Sequence, residues 1–295
     1  EILAVAGESG SGKTTLARAV ACLPTEGETV AGQVVIGGRD ILAMKEKERK
    51  NLRMTEFSVA FQNPIQWLNP AMTLGEQLEE ILCRRFKKGE MEREKGSLME
   101  SAGLSRKDLG RYPRELSGGM AQKFVLAEAL ALDPKLVILD EPTSSLDPES
   151  RREFLALIRR RREENKTAFL LITHDMKLAR EVSTRILILY GGRVMEQGPA
   201  GEVLDDPRHP YARGLIHSSI GMNLVRDVWG IRPSPEGGCR AGCPFAGRCT
   251  QTVPRCFQEP PTLEETSPGR LTACHRGGVV RILEAFGITR KYGGQ

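Results

Sequence analysis

The sequence predicts an α/β protein with a mostly parallel sheet core, and three observations lead to that prediction. An apolar run at residues 2–6 is followed by a glycine-rich loop, and the loop is followed by a helical stretch. From residue 136 onward, apolar strand-like runs alternate with helical stretches, which is typical of a parallel sheet between helices. Residues 63–130 show a helical pattern instead, which indicates an inserted helical subdomain.

A smaller antiparallel part is predicted from two pairs of glycines. Gly37-Gly38 follows a strand-like run at residues 33–36. Gly191-Gly192 joins two further runs, at residues 185–190 and 193–197. Adjacent glycines between such runs favour a hairpin, because both turn positions then tolerate positive φ.

Composition and charge limit the classes of function. Hydrophobic residues make up 40% of the 295 residues and charged residues 27%, and no apolar run approaches the roughly 18 residues of a membrane span. Any membrane role is therefore expected to come through a partner. The net charge of +5 is mild, and its basic runs are typical of solvated helix faces, so we expect no nucleic-acid partner.

Glu1 falls inside a predicted strand, which suggests that the chain is longer than the sequence given.

The glycine-rich loop, GESGSGKTT, is the first candidate site. In a strand–loop–helix context this pattern is typical of a phosphate-binding loop, whose backbone N–H groups and helix start surround a di- or triphosphate. Lys13 is expected to reach the β- and γ-phosphates, and the Thr14 hydroxyl to bind Mg²⁺. The predicted nucleotide-binding residues of the loop are Gly7, Ser9, Gly10, Ser11, Gly12, Lys13, Thr14 and Thr15.

Further polar residues follow apolar strands and are expected at the same sheet edge. Asp140 and Glu141 follow the run LVIL. The first is expected to bind Mg²⁺, and the second to orient or deprotonate the attacking water. His174 follows AFLLIT, where an imidazole in contact with the γ-phosphate would distinguish ATP from ADP. Gln62 follows SVAF, and its amide is expected to meet Mg²⁺ or the attacking water.

A second anion site is predicted in the stretch LSGGMAQ, where Ser117, Gly118 and Gly119 open a helix. A serine hydroxyl and free backbone N–H groups at a helix start favour a bound phosphate. Because the chain already has a phosphate loop, we expect this second site to close on ATP that another domain holds.

Together these motifs resemble the nucleotide-binding domain of ATP-binding-cassette (ABC) proteins, over about residues 1–220. Six motifs occur in the family's order: Walker A at 7–14, the Q-loop at Gln62, the signature at 116–122, Walker B at 139–141, the D-loop at 144–147 and the switch histidine, His174. The D-loop has Ser145 where alanine is common.

The resemblance implies ATP and Mg²⁺ as cofactors. It places Thr14, Gln62 and Asp140 near the metal ion, and Asp147 of the D-loop in the nucleotide site. It also implies a second ABC domain, in another subunit or in the second half of a tandem chain. The two domains would face head to tail with two ATP molecules between Walker A and signature motifs.

Three stretches resemble the oligopeptide, dipeptide and nickel importer branch: FQNPIQWLNP at 61–70, HPYARGL at 209–215 and a cysteine-rich C-terminal extension. This resemblance implies an ATP hydrolase that powers import of peptides or nickel-type substrates. Its partners would be a transmembrane permease, received by Gln62 and residues 63–113, and indirectly an extracytoplasmic substrate-binding protein. The subunit would lie peripherally on the cytoplasmic face of the membrane. The sequence leaves the cargo open.

The seven cysteines are distributed unevenly. Cys22 and Cys83 stand apart and are expected to be buried as small apolar residues. The other five fall in a Pro- and Gly-rich segment, residues 239–278, after a predicted linker at 221–238. This segment is too poor in apolar residues to make a core of its own.

Some members of the importer branch carry a [4Fe–4S] cluster in this extension. The resemblance implies four ligands, with Cys239 as an extra or substitute: Cys243, Cys249, Cys256 and Cys274. Thiolates also bind Zn²⁺, although the spacing lacks a CxxC pair. Free thiols or disulfides remain open, and a metal centre here would act as a structural staple.

Alternatives remain for the tail and for the function. Residues 279–295 resemble the first strand of a second ABC domain, with Tyr292 in the place of the adenine-stacking aromatic residue, or they form an ordinary C-terminal strand. A soluble tandem ABC ATPase that remodels or activates a partner protein, such as a metalloenzyme, is the main alternative function. A DNA-repair ATPase is a second, although its cysteine modules are normally CxxC zinc sites within the cassette.

Overall fold

The computed structural model describes residues 1–25, 27–219 and 241–278. The strands in these ranges are β1 (Ile2–Ala6), β2 (Val35–Ile36), β3 (Arg39–Asp40), β4 (Phe57–Ala60), β5 (Leu136–Asp140), β6 (Ala168–Thr173), β7 (Arg185–Tyr190), β8 (Arg193–Pro199), β9 (Glu264–Ser267) and β10 (Arg270–Thr272). The α-helices are α1 (Lys13–Val20), α2 (Glu46–Leu52), α3 (Leu74–Leu82), α4 (Lys88–Ser101), α5 (Gly118–Leu130), α6 (Pro148–Glu164), α7 (Met176–Val182), α8 (Ala200–Asp205), α9 (Pro210–Ser219) and α10 (Arg255–Gln258).

Eight strands form one sheet in the order β4-β5-β6-β1-β7-β8-β10-β9. The first five run parallel, and the last three continue the sheet in antiparallel pairs. The predicted α/β fold with a mostly parallel core is therefore confirmed. Both predicted hairpins are present, β7–β8 in the main sheet and β2–β3 as a separate two-stranded sheet. The loops after β1, β4, β5 and β6 share one edge, because parallel strands end on the same side.

Helices cover both faces of the parallel part. Val137 and Leu139 of β5 pack in one buried cluster with Phe124 of α5. Ile138, between them, points to the opposite face and packs with Ala17 of α1. This two-sided burial explains why the parallel strands read as continuous apolar runs.

The helical region between β4 and β5 begins with a well-defined cap. The Thr73 Oγ1 accepts the Glu76 N–H, and the Glu76 carboxylate accepts the Thr73 N–H in return. Leu74, Leu78 and Leu82 of α3 are fully buried, as their spacing along one helix face predicts. At the other end of the region the Ser58 hydroxyl donates to the Ala129 carbonyl at 2.6 Å, which ties α5 to β4.

The C-terminal extension packs against the cassette. Its strands β9 and β10 extend the main sheet beyond β8, and Phe245 shares a buried cluster with Tyr211 of α9. An ion pair between Arg270 of β10 and Glu196 of β8 is almost completely buried. The sequence pattern showed that the extension lacks its own core, but it did not predict that it adds strands to the sheet.

One cysteine prediction was wrong. Cys22 is buried, whereas Cys83 is exposed, because it caps the C-terminus of α3 on the solvent side. The predicted linker, the Cys239 position and the tail from residue 279 lie outside the described residues. Within the described ranges, no helix has the length and apolar character to cross a membrane.

Candidate nucleotide-binding site

The loop between β1 and α1 has the backbone of a phosphate cradle. Gly10 and Gly12 adopt φ of +77° and +99°, which other residues rarely adopt. A β-carbon at Gly7 would lie 2.2 Å from the Leu189 carbonyl oxygen, so only glycine fits beside β7. Ser9, Gly10, Thr14 and Thr15 are exposed, whereas Ser11 is buried, so the loop has an accessible outer face.

Lys13 is folded back into this loop. Its Nζ donates to the carbonyl oxygens of Gly7 at 2.9 Å and Glu8 at 2.8 Å. Burial lowers the pKa of Lys13, while the carboxylates of Glu141, Asp140 and Glu8 oppose that shift. The ammonium group is thus held among carboxylates at the position where phosphates are expected.

Thr14, in the first turn of α1, and Asp140, at the end of β5, are brought together. The Thr14 Oγ1 donates to the Asp140 Oδ2 at 2.8 Å. Burial raises the pKa of Asp140, and the hydrogen bond from Thr14 and the charge of Lys13 counteract it. A hydroxyl and a carboxylate side by side are hard oxygen ligands of the kind that Mg²⁺ prefers, so the pair fits the predicted metal site.

Glu141 and His174 meet beyond the ends of β5 and β6. The His174 Nδ1 lies 2.7 Å from the Glu141 Oε1. Glu141 has a φ of +50°, which is strained for a residue with a side chain. Its N–H donates to the Ile172 carbonyl at 3.0 Å, which helps to hold this conformation.

Gln62 lies at the same sheet edge, two residues after β4, and is exposed. Its carbonyl oxygen accepts a hydrogen bond from the Trp67 Nε1 at 3.2 Å. Trp67 in turn packs on Phe61 with ring centroids 5.0 Å apart. The structure therefore places Gln62 beside the helical region.

The second predicted anion site begins α5. The Ser117 Oγ accepts the Met120 N–H at 3.2 Å, and Ser117 and Gly118 are exposed. A β-carbon at Gly119 would lie 3.4 Å from the Ser145 carbonyl oxygen, so α5 starts against the loop before α6. This exposed helix start is accessible to a second chain.

Asp147 caps α6 and does not point to a phosphate in this conformation. Its Oδ1 accepts the N–H groups of Ser150 and Glu149, both at 3.0 Å. These hydrogen bonds, led by that of Ser150, lower the pKa of Asp147 to about 2.

Gln122 is a site residue whose role the sequence did not reveal. Its Nε2 donates to the Glu141 carbonyl at 3.1 Å, and its Oε1 accepts the Ser145 N–H at 3.3 Å. Gln122 therefore links α5 to both Glu141 and the loop that precedes α6. The sequence shows that Gln122 ends the LSGGMAQ stretch, but no local sequence pattern predicts its contact with Glu141, which is 19 positions away.

Four cysteines of the extension line one pocket: Cys243, Cys249, Cys256 and Cys274. Burial raises the pKa of Cys243 to about 11 and also raises that of Cys249. The Gln251 N–H donates to the Cys249 sulfur at 3.3 Å. No group of three or more His, Cys, Asp or Glu side chains within the described ranges is arranged to hold a single metal ion.

The comparison with known proteins agrees with this geometry. The ABC transporter family matches residues 1–144, and the C-terminal region of oligopeptide/dipeptide transporters matches residues 195–256. The oligopeptide transport ATP-binding protein OppD of Escherichia coli (strain K12) is 37% identical over 94% of this chain and 84% of its own length. The dipeptide transport ATP-binding protein DppF of Haemophilus influenzae is 34% identical over 92% of this chain and 84% of its own length.

The chain belongs to the ATP-binding proteins of ABC transporters, in the oligopeptide/dipeptide branch. It is thus an ABC-type ATP hydrolase that uses ATP and Mg²⁺. A dimeric, post-hydrolysis structure of the ATP-binding cassette MJ0796 with ADP and Pi superposes with a TM-score of 0.62 at 27% identity, over 68% of this chain and 85% of the other. Similarity to transport proteins over most of the chain disfavours the soluble remodelling and DNA-repair alternatives.

Proposed function

We propose that this ABC ATPase powers import of peptides through a membrane permease. The ATPase part rests on one observation: Lys13, the Thr14–Asp140 pair and the Glu141–His174 pair lie at one edge of a parallel sheet. The transport part is supported by relatives named for oligopeptide and dipeptide transport over more than nine-tenths of the chain. Nickel-type substrates are the alternative cargo.

The residues divide the chemistry among them. Lys13 and the N–H groups of the loop would bind the phosphates. Thr14 and Asp140 would hold Mg²⁺, which would supply positive charge to neutralise the phosphates. Glu141 accepts a proton from the attacking water or orients it, and His174 positions Glu141 and contacts the γ-phosphate. The Gln62 amide would contact Mg²⁺ or the attacking water, and Gln62 would also border the surface that receives the permease.

A second cassette completes the site in this proposal. Ser117, Gly118 and Gly119 stand at an exposed helix start, where N–H groups attract a phosphate held by the facing cassette. Ser145 lies next to this start, and Ser145 and Asp147 would join the same interface. Two nucleotides that contact both halves only in the closed dimer give closure a strong driving force.

The permease surface is proposed beside Gln62. Ile65 and Trp67, three and five positions after Gln62, are large apolar side chains that are 45% and 56% exposed, and a partner helix that covered them would bury apolar area. A cytoplasmic permease helix at this surface would place the subunit peripherally on the cytoplasmic face of the membrane. A substrate-binding protein on the far side would select the cargo.

The domain organisation is part of the proposal. Residues 1–220 form the ABC domain with its helical subdomain at about 63–130, residues 221–238 form the linker and residues 239–278 form the extension. Limited proteolysis that cuts first within 221–238 would support these boundaries.

For the extension, we propose that the four pocket cysteines hold a [4Fe–4S] cluster. Four thiols around one pocket, with an N–H donor to the Cys249 sulfur, are a donor set that suits such a cluster. Zn²⁺ is the alternative, and the lack of a CxxC pair in the cysteine spacing makes it the weaker one. Iron and sulfide analysis of anaerobically purified protein tests this, and stoichiometric zinc without iron would contradict it.

Reconstitution tests the transport function. The subunit is purified with the permease that co-purifies with it, placed in liposomes and supplied with substrate-binding protein, labelled peptide and ATP. We expect peptide uptake that requires ATP and is lost in Lys13→Ala. ATP hydrolysis without uptake of peptide or Ni²⁺, and no co-purifying permease, would contradict the proposal.

A further inference from the structure

The C-terminal extension contacts the phosphate loop directly at Glu8. The Arg248 guanidinium donates two hydrogen bonds to the Glu8 carboxylate, from Nη1 to Oε2 at 2.7 Å and from Nη2 to Oε1 at 3.0 Å. Such a bidentate pair is stronger than a single hydrogen bond and fixes the orientation of both groups. The two residues are 240 positions apart, so the extension supplies the cation that neutralises a carboxylate of the loop.

Arg248 is held rigidly enough to act in this way. It ends a 3₁₀ turn, Ala246–Arg248, and Cys243 and Cys249 flank that turn. Its Nη1 also donates to the Tyr190 hydroxyl at 3.1 Å, and its guanidinium lies over the Tyr190 ring. Only 11% of the Arg248 side chain is exposed, so water competes little with the ion pair.

Tyr211 holds the same loop residue from a second side. Its hydroxyl accepts the Glu8 backbone N–H at 2.8 Å. Its ring is fully buried and packs on Tyr190 and Phe245, with centroids 4.6 and 5.3 Å apart. This contact gives the tyrosine of the HPYARGL motif a specific partner in the phosphate loop.

We propose that Arg248 and Tyr211 are positioning residues for the phosphate loop, so that nucleotide affinity depends on the C-terminal extension. The Glu8 carbonyl accepts a hydrogen bond from Lys13, so a shift of Glu8 also shifts the lysine that binds phosphate. Without Arg248, the Glu8 carboxylate would lose the cation that pairs with it and would lie unpaired close to a bound polyphosphate, which like charge disfavours. This inference rests on the proposed nucleotide site and adds residues that do not touch the nucleotide themselves.

Calorimetric titration of the full chain with Mg–ADP tests the inference without interference from hydrolysis. Arg248→Met removes the cation and should raise the Kd roughly tenfold, the size expected for one charge-assisted contact. Tyr211→Phe keeps the buried ring and removes only the acceptor for Glu8, so a smaller rise is expected. The matched control is Arg255→Met in α10, an exposed arginine of the same extension that pairs with Glu259, and its Kd should not change.

A double variant separates the electrostatic role from general loss of packing. Glu8→Gln in the Arg248→Met background removes the unpaired carboxylate, so most of the lost affinity should return. If Arg248→Met fails to fold, Arg248→Lys replaces it, and its Kd should lie between wild type and the expected Arg248→Met value, because one hydrogen bond remains.

Two outcomes would overturn this inference and leave the nucleotide site intact. In the first, the Kd is unchanged both in the Arg248 variant (Arg248→Met, or Arg248→Lys in its place) and in Tyr211→Phe. In the second, the double variant binds as weakly as Arg248→Met. A wild-type chain that does not bind Mg–ADP would overturn the nucleotide site, and the inference with it.

Discussion

The Nδ1 of His174 lies 2.7 Å from the Oε1 of Glu141, although the two residues are 33 positions apart. They follow the neighbouring strands β5 and β6, so the parallel register of the sheet brings them together. Glu141 is mostly shielded, with 13% of its side chain exposed, whereas His174 is 70% exposed. His174 is exposed enough to contact a γ-phosphate and at the same time orients the shielded carboxylate of Glu141. The pair is therefore suited to activate water only when a γ-phosphate is bound.

Glu141→Gln should keep ATP binding and nearly abolish turnover. The amide preserves the shape of the side chain but cannot accept the proton of water, and loss of a general base typically lowers a rate by about 100-fold or more. His174→Ala should lower kcat less, by roughly tenfold, because Glu141 remains. Steady-state ATPase assays measure both effects, and Glu141→Gln with wild-type turnover would remove Glu141 from this role.

Lys13→Ala should weaken nucleotide binding itself. The Lys13 ammonium is folded back into the loop between β1 and α1. A charge-assisted contact to phosphate contributes about 1.5–3 kcal/mol, equivalent to a rise in Kd of roughly 10- to 100-fold. Calorimetry with Mg–ADP gives the Kd. Unaltered affinity, with a melting temperature equal to that of wild type, would contradict the phosphate-cradle assignment.

Gln122→Ala should lower turnover and leave nucleotide affinity unchanged. The variant removes the donor to the Glu141 carbonyl and the acceptor for the Ser145 N–H, so the strained backbone at Glu141 loses one support. The loss of about one hydrogen bond predicts a roughly fivefold fall in kcat. Lys123→Ala is the matched control, because the Lys123 side chain in the same helix pairs with Glu153 of α6. Equal kcat values for the two variants would show that Gln122 does not position Glu141.

Much of the sheet and of the site edge could be predicted from sequence, because both depend on local pattern. The end of each site strand can be recognised because an apolar run is followed by a glycine or polar residue: Gly7, Gln62, Asp140 and His174. Because these strands are parallel, their ends then lie at one edge of the sheet. The extension was harder to predict. The contact of Arg248 with Glu8 crosses 240 positions and has no periodic signal, so only the folded chain reveals it.

Glu128→Gln should stabilise the protein at alkaline pH. Burial, with the nearby Glu80 carboxylate, raises the pKa of Glu128 to about 8. The unfolded chain releases this proton above about pH 4.3, so between pH 4.3 and 8 the folded state binds more protons and the free energy of unfolding falls as pH rises. At about 1.4 kcal/mol for each unit of pKa difference, the advantage of the variant over wild type should grow by roughly 3 kcal/mol between pH 5 and pH 8.

Thermal or urea unfolding at both pH values measures this difference. Glu164→Gln, at an exposed position of α6, serves as the control and should follow wild type at each pH. An equal effect of Glu128→Gln at pH 5 and pH 8 would show that proton release at Glu128 does not govern the change.

Arg270→Met should destabilise the whole cassette, because the buried ion pair with Glu196 joins the extension to the sheet. The Arg270 Nη2 lies 2.6 Å from the Glu196 Oε1, and the same carboxylate accepts the N–H groups of Arg208 and His209. Removal of one partner leaves a buried carboxylate uncompensated, which typically costs about 3–5 kcal/mol. Urea unfolding measures the loss, and Glu196→Gln in the Arg270→Met background should recover part of it. A loss below about 1 kcal/mol, the range of exposed pairs, would mean that the extension is not joined to the cassette through this pair.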